Sequence, residues 1–146
     1  MMGMRPPGWD DPVEARIREL NDAIDALREL AARDFKSLST YEVLSMRYLV
    51  IQLVEAAAAI CLYIMGKLGE RPMGYPDCFA RMGARGLLPQ VLANQLARAA
   101  RLRNLLVHRY WEIDDERVHR SVREGLKDFE EFKACVRELL RHGCRP

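Results

Sequence analysis

The side chains best suited to chemistry lie close together in one short stretch. Arg103 and His108 are five positions apart, Asn104 lies beside the arginine, and Tyr110 follows two residues after the histidine. Histidine exchanges protons near pH 7, and arginine offers planar donors to phosphate oxygens. This set predicts cleavage of an RNA phosphodiester without a metal, with His108 moving protons and Arg103 stabilising the phosphoryl charge.

The spacing limits how these side chains can act together. At about 100° per helical residue, Asn104 and His108 share one face, whereas Arg103 and His108 are offset by about 140°. Arg103 and His108 therefore converge easily on one ligand only if the helix unwinds near His108 or if a second subunit contributes. Because the reaction needs both an acid and a base, and one motif has one useful histidine, we predict a homodimer that brings two motifs together.

A structural explanation of the same residues stays open at this stage. Arginine and histidine near a helix end also interact favourably with the helix dipole, and Arg-x4-His is short enough to arise by chance. The other two histidines have simple explanations. His142 lies in the last turn of a predicted helix, and His119, among charged neighbours, is predicted to be solvated.

Basic residues are concentrated in one third of the chain. The net charge is only +2, yet the segment from residue 78 to 111 contains six arginines and no acidic residue. Such a block can attract a polyanion, although a solubilising face or a surface for an acidic protein fits equally well. If RNA is the ligand, Arg98, Arg101 and Arg109 are the predicted contacts beyond the motif.

Composition indicates a cytoplasmic protein of one domain. The 146 residues can form one substantial core but not two. No uninterrupted apolar run approaches the roughly 18 residues of a membrane span, and the first ten residues lack the apolar centre of a signal peptide. The four cysteines match no zinc module, and Cys61 and Cys135 are predicted to be buried thiols. No metal or cofactor is indicated.

Apolar residues recur with helical spacing along most of the chain, and no segment alternates with period two. We therefore predict an all-α fold: an antiparallel up-and-down bundle of four long helices plus a short connecting helix. Residues 1–12 are predicted to be a flexible N-terminal tail and residues 13–142 a single domain. The predicted helices cover roughly residues 11–35, 40–67, 75–82, 89–108 and 115–142.

The stretch from Arg103 to Tyr110 resembles the Arg-x4-6-His motif of HEPN ribonucleases, in the Arg-x4-His-x-Tyr form of HepT toxins. The similarity extends over roughly residues 13–140, with elements in the same order. Residues 53–57 resemble the central helix of that family, 69–72 and 75–79 its connecting loop and short helix, 87–89 the start of the motif helix and 128–132 the closing helix.

The resemblance implies a HEPN-like fold and a dimeric endoribonuclease that acts on mRNA or tRNA, the toxin of a type VII HEPN/MNT toxin–antitoxin pair. Arg103 and His108 would be the catalytic pair and Asn104 their polar companion. Tyr110 matches the tyrosine to which an MntA-like nucleotidyltransferase antitoxin attaches AMP. The implied partners are RNA, this antitoxin and a second copy of the chain.

Two other functions are compatible with the same sequence. The chain could be a non-catalytic HEPN binding module that partners a nucleotidyltransferase, or a helical adaptor whose basic block docks an acidic protein. Growth arrest and RNA cleavage by the isolated protein would distinguish the nuclease from both.

Overall fold

The computed structural model describes residues 10–142, and within this range it contains five α-helices, two short 3-10 turns and no strand. This confirms the predicted all-α bundle. Helix α1 begins at Asp10, so the end of the predicted tail belongs to the helix, and residues 1–9 and 143–146 lie outside the described part. The helices are α1 Asp10–Ala32, α2 Thr40–Lys67, α3 Tyr75–Ala84, α4 Gln90–His108 and α5 Asp115–His142.

Helix α2 is the centre of the bundle and packs against the other four helices. It begins with the predicted capping box: the Ser39 hydroxyl accepts from the Glu42 amide at 3.1 Å, and the Glu42 carboxylate accepts from the Ser39 amide at 2.9 Å. By length and composition alone α2 could cross a membrane, but 56% of its most apolar 18-residue stretch is buried inside the bundle. Its composition is that of a core helix.

Helix α5 caps the C-terminal end of α1, which corrects the prediction for His119. Rather than being solvated, His119 is 4% exposed and its Nε2 donates to the Leu30 carbonyl at 3.1 Å. One turn later, Arg123 Nε donates to the Ala31 carbonyl at 2.9 Å. The last carbonyls of a helix have no partner within it, so α5 supplies donors that the sequence around His119 does not reveal.

We expect His119→Ala to lower the free energy of unfolding by about 0.5–1.5 kcal/mol, because the Leu30 carbonyl loses the hydrogen bond from the imidazole and keeps only the one from the Arg33 amide at 3.3 Å. The ring also contacts Phe35 edge-on, with 5.6 Å between centroids, and that contact is lost as well. Denaturant unfolding measures the effect. The neighbouring Arg120→Ala is the control, since Arg120 is exposed, and equal stability of the two variants would contradict the capping role.

The prediction that Cys61 is a buried thiol is also wrong. Cys61 on α2 and Cys78 on α3 form a disulfide with 6.3 Å between their Cα atoms, because the two helices pack side by side. Their separation of 17 residues gave no indication of this contact. Cys135 is a half-buried free thiol, and burial raises its pKa above the usual range.

Candidate active site

Helix α4 carries the predicted motif and is regular throughout it. Buried residues along one side, including Leu92, Leu96 and Leu106, hold it against the bundle. The Arg109 amide donates to the Leu105 carbonyl at 2.7 Å, so the helical bonding pattern reaches past His108. Arg103 and His108 therefore stay on different faces of α4. Local unwinding, one of the two routes by which they could share a ligand, is excluded within one chain.

Arg103 is fixed by partners from three helices. Its side chain is 18% exposed, and its Nη2 donates to the Glu55 carboxylate on α2 at 2.6 Å. Its Nη1 donates to the Asn104 side-chain oxygen at 3.0 Å, and the guanidinium lies 4.8 Å from the centre of the Tyr75 ring on α3. These contacts hold the guanidinium plane in one orientation, and they give the predicted motif residue Asn104 a positioning role.

A group of ion pairs fixes the start of α3, the helix that brings the tyrosine ring beneath the guanidinium. Glu70 accepts from Arg81 at 2.9 Å and also pairs with Arg85. Asp77 accepts from the Met73 amide and from Arg81, both at 2.8 Å. Hydrogen bonding by Arg81 lowers the pKa of Glu70, and the Met73 amide, followed by Arg81, lowers the pKa of Asp77.

These lowered pKa values predict that α3 loosens in acid. A carboxyl group whose pKa is depressed in the folded state stabilises that state above its unfolded pKa and loses this effect as pH falls through the folded value. We expect the NMR signals of α3 to change below about pH 4, and Glu70→Gln to show part of this change at neutral pH. Glu116→Gln, at an exposed site on α5, is the control. An α3 spectrum constant to pH 2 would contradict the prediction.

His108 is the last residue of α4 and is exposed. In the described part of the chain its imidazole has no hydrogen-bond or ion-pair partner. Both ring nitrogens are therefore accessible to a substrate. Arg101 lies seven positions earlier and hence on nearly the same face of the helix.

Tyr110 opens the 3-10 turn Tyr110–Glu112 and is 59% exposed. Its ring packs edge-on against Trp111, with 5.3 Å between centroids. Arg47 on α2 donates to the Tyr110 carbonyl at 2.9 Å and to the Asp115 carboxylate at 2.6 and 2.9 Å. Arg47 thus fixes the backbone of this turn two residues from His108, while the tyrosine side chain faces outward.

The structure divides the basic block into paired and unpaired arginines. Arg98 and Arg101 are exposed and, among the residues described, have no carboxylate partner, whereas Arg109 lies 3.7 Å from Glu112. The other arginines of the block also face acids: Arg81 and Arg85 pair with Glu70, and Arg103 pairs with Glu55.

Sequence reasoning missed the residues that position the motif. Glu55 did have a signal, because it is the only charged residue between Arg47 and Lys67, and a charge within an apolar helix needs a partner. Tyr75 and Arg47 had none, since each meets the motif only through the packing of separate helices.

Comparison with known proteins places the chain in a family. Residues 17–136 match the model of the family described as ribonuclease HepT-like. The chain is 27% identical over 122 residues to the tRNA nuclease HepT of Aphanizomenon flos-aquae, covering 80% of this chain and 82% of that protein. It is 30% identical over 88 residues to the mRNA nuclease HepT of Shewanella oneidensis, covering 57% and 66%.

A solved structure shares the fold. The tri-AMPylated HEPN toxin of Shewanella oneidensis, in complex with MNT antitoxin, superposes with a TM-score of 0.80 at 24% identity, over 88% of this chain and 98% of that one. The family model spans most of the helical bundle, including α2, α3, α4 and the motif. The chain therefore belongs to the ribonuclease HepT-like family.

Proposed function

We propose that this protein is the endoribonuclease toxin of a HEPN/MNT toxin–antitoxin pair and cleaves tRNA or mRNA in the cytoplasm. One observation carries the proposal: in a member of this family, Arg103 is held rigidly by Glu55, Asn104 and Tyr75 while His108 is open to solvent on the same helix. The relatives named as a tRNA nuclease and an mRNA nuclease support this substrate class.

The proposed reaction is an attack by the ribose on its own phosphodiester. One imidazole takes the proton from the 2′-hydroxyl as the 2′ oxygen bonds to phosphorus. Another imidazole donates a proton to the 5′ oxygen of the next nucleotide as the bond between phosphorus and that oxygen breaks. The Arg103 guanidinium donates to the non-bridging oxygens, where charge accumulates. Both protons are carried by side chains, so the proposed chemistry requires no metal.

We propose that the two imidazoles are the His108 side chains of two copies of the chain. The regular helix keeps Arg103 and His108 of one copy on different faces, which favours a site assembled across a homodimer. A two-fold axis between motifs would place one imidazole on each side of the phosphate.

The proposed off-switch is the transfer of AMP to Tyr110 by an MntA-like nucleotidyltransferase antitoxin. The outward side chain on a fixed turn is suited to a modifying enzyme, and a solved relative of the same fold is an AMPylated toxin with its antitoxin. An adduct with a phosphate charge next to His108 would crowd the site and repel RNA.

The test is cleavage of total RNA by the purified protein in excess EDTA, together with growth after expression alone and with the antitoxin. We expect cleavage that persists in EDTA and growth arrest that the antitoxin relieves. Cleavage that stops in EDTA and returns with Mg²⁺ would contradict the metal-independent mechanism. Absence of both cleavage and arrest would favour a non-catalytic module.

A further inference from the structure

A groove lies between α4 and α5, on the side of α4 where Arg98 and Arg101 project. Its volume is about 780 Å³, within the range of ligand sites. Its apolar floor is formed by the partly exposed Ala99, Leu102 and Leu105 of α4, above Val50, Leu53 and Val54 of α2, which are buried. We call this space, bounded by residues 95–105 of α4 and 117–129 of α5, the α4–α5 groove.

The rim of the α4–α5 groove holds four basic side chains. Arg98 and Arg101 lie on α4, and Arg117 and Lys127 lie on α5. In the described part of the chain, neither Arg101 nor the Arg117 side chain has a hydrogen-bond or ion-pair partner, and Arg98 donates only to Gln95, at 3.3 Å. This contrasts with the other arginines of the basic block, which face carboxylates.

Two acidic residues, Glu124 and Asp128, also line the groove, so its rim has a net positive charge. Carboxylates repel phosphate, but they accept hydrogen bonds from the amino groups of nucleobases. An apolar floor, cationic edges and two acceptors together match the three parts of a nucleotide chain: base faces, phosphates and base edges.

The α4–α5 groove leads toward the proposed cleavage site. Arg101 and His108 are seven residues apart on α4, which corresponds to about 10 Å along the helix axis and a rotation of about 20°. A nucleotide chain that contacts Arg98 and Arg101 and continues along the same face of α4 therefore reaches His108.

We propose that the α4–α5 groove binds a single-stranded segment of the RNA substrate flanking the cleaved bond. The bases lie on the apolar floor and the phosphates contact Arg98, Arg101, Arg117 and Lys127. The inference rests on the proposed nuclease function. A duplex hides its base faces by stacking and does not use such a floor. If a second copy of the chain docked on the groove by two-fold symmetry, the two positively charged rims would face and repel each other.

Gly125 provides the sharpest test of the proposal. It lines the groove, and a Cβ atom added there would meet no atom within 4 Å, so a larger side chain has room. Methionine is also a better helix former than glycine. Gly125→Met should therefore occupy the groove without destabilising α5.

The experiment measures binding of a labelled single-stranded RNA by fluorescence anisotropy, with His108→Ala in every protein so that the RNA stays intact. We expect Gly125→Met to weaken binding roughly tenfold with an unchanged or higher Tm. Arg117→Ala should weaken binding roughly three- to tenfold and reduce the slope of log K against log salt by about 1. Arg120→Ala, the same residue type exposed on the same helix outside the groove, should bind like the parent.

Binding by Gly125→Met and Arg117→Ala equal to that of the parent would overturn the proposal. So would light scattering that shows either variant converting a dimer to monomers, because the groove would then be an interface between copies. Cleavage by the protein with His108 intact is measured separately. If it is absent while the groove variants still lose binding, the nuclease proposal fails and the RNA groove stands.

Discussion

His108→Ala is expected to reduce the single-turnover rate of RNA cleavage by about 10²–10⁴-fold, the usual contribution of a positioned acid or base. The imidazole is exposed and makes no hydrogen bond within the described chain, so its removal should hardly affect stability. The loss would therefore report on chemistry rather than on folding.

His142→Ala is the matched control for this variant. His142 is also an exposed histidine in the last turn of a long helix, but its Nε2 lies 2.9 Å from Glu138 on α5, away from the motif in sequence. The control should cleave at the parental rate. Equal rates for the two variants would remove His108 from the mechanism.

Tyr110→Phe is expected to abolish AMP transfer at this site while leaving RNA cleavage close to the parental rate. Phenylalanine lacks the hydroxyl that accepts the AMP but keeps the ring that packs on Trp111. The backbone of the turn is held through the Tyr110 carbonyl by Arg47, which the substitution does not touch. Cells that produce this variant together with the antitoxin should stop growing, whereas the parental pair should not.

Intact-protein mass spectrometry after incubation with the antitoxin and ATP measures the transfer. Tyr48→Phe is the control, because Tyr48 is similarly exposed, at 65%, but lies on α2. It should be modified like the parent. If Tyr110→Phe gained as much AMP as the control and were silenced equally well, Tyr110 would not be the acceptor.

Local sequence patterns predicted the elements of the fold, because each depends on neighbours within a few residues. The capping box at Ser39 and Glu42 marked the start of α2, and the spacing of apolar residues after Pro89 marked α4. The ends of α1 were predicted less accurately. The helix begins at Asp10 and ends at Ala32, and side chains of α5 donate to the carbonyls of Leu30 and Ala31 at its C-terminal end.

The contacts of the site depend on packing between distant segments and could not be predicted in the same way. Arg103 meets Glu55 across 48 positions, and His119 meets Leu30 across 89. The charged neighbours of His119 indicated solvent, although its bonding partner lies on another helix. The motif residues were predicted from their types, their spacing and the resemblance to HEPN ribonucleases, and their catalytic roles stay predictions, whereas the residues that contact Arg103 were not predicted.

In the proposed homodimer, one site uses a His108 from each of two chains. A heterodimer with one intact subunit and one His108→Ala subunit, purified through two different tags, tests it most directly. A heterodimer carrying Arg120→Ala in one subunit is the control. We expect the single substitution to lower cleavage by about 10²-fold or more, because the only acid or the only base is lost. Retention of half the parental rate would show that each subunit cleaves RNA independently and would contradict the shared site.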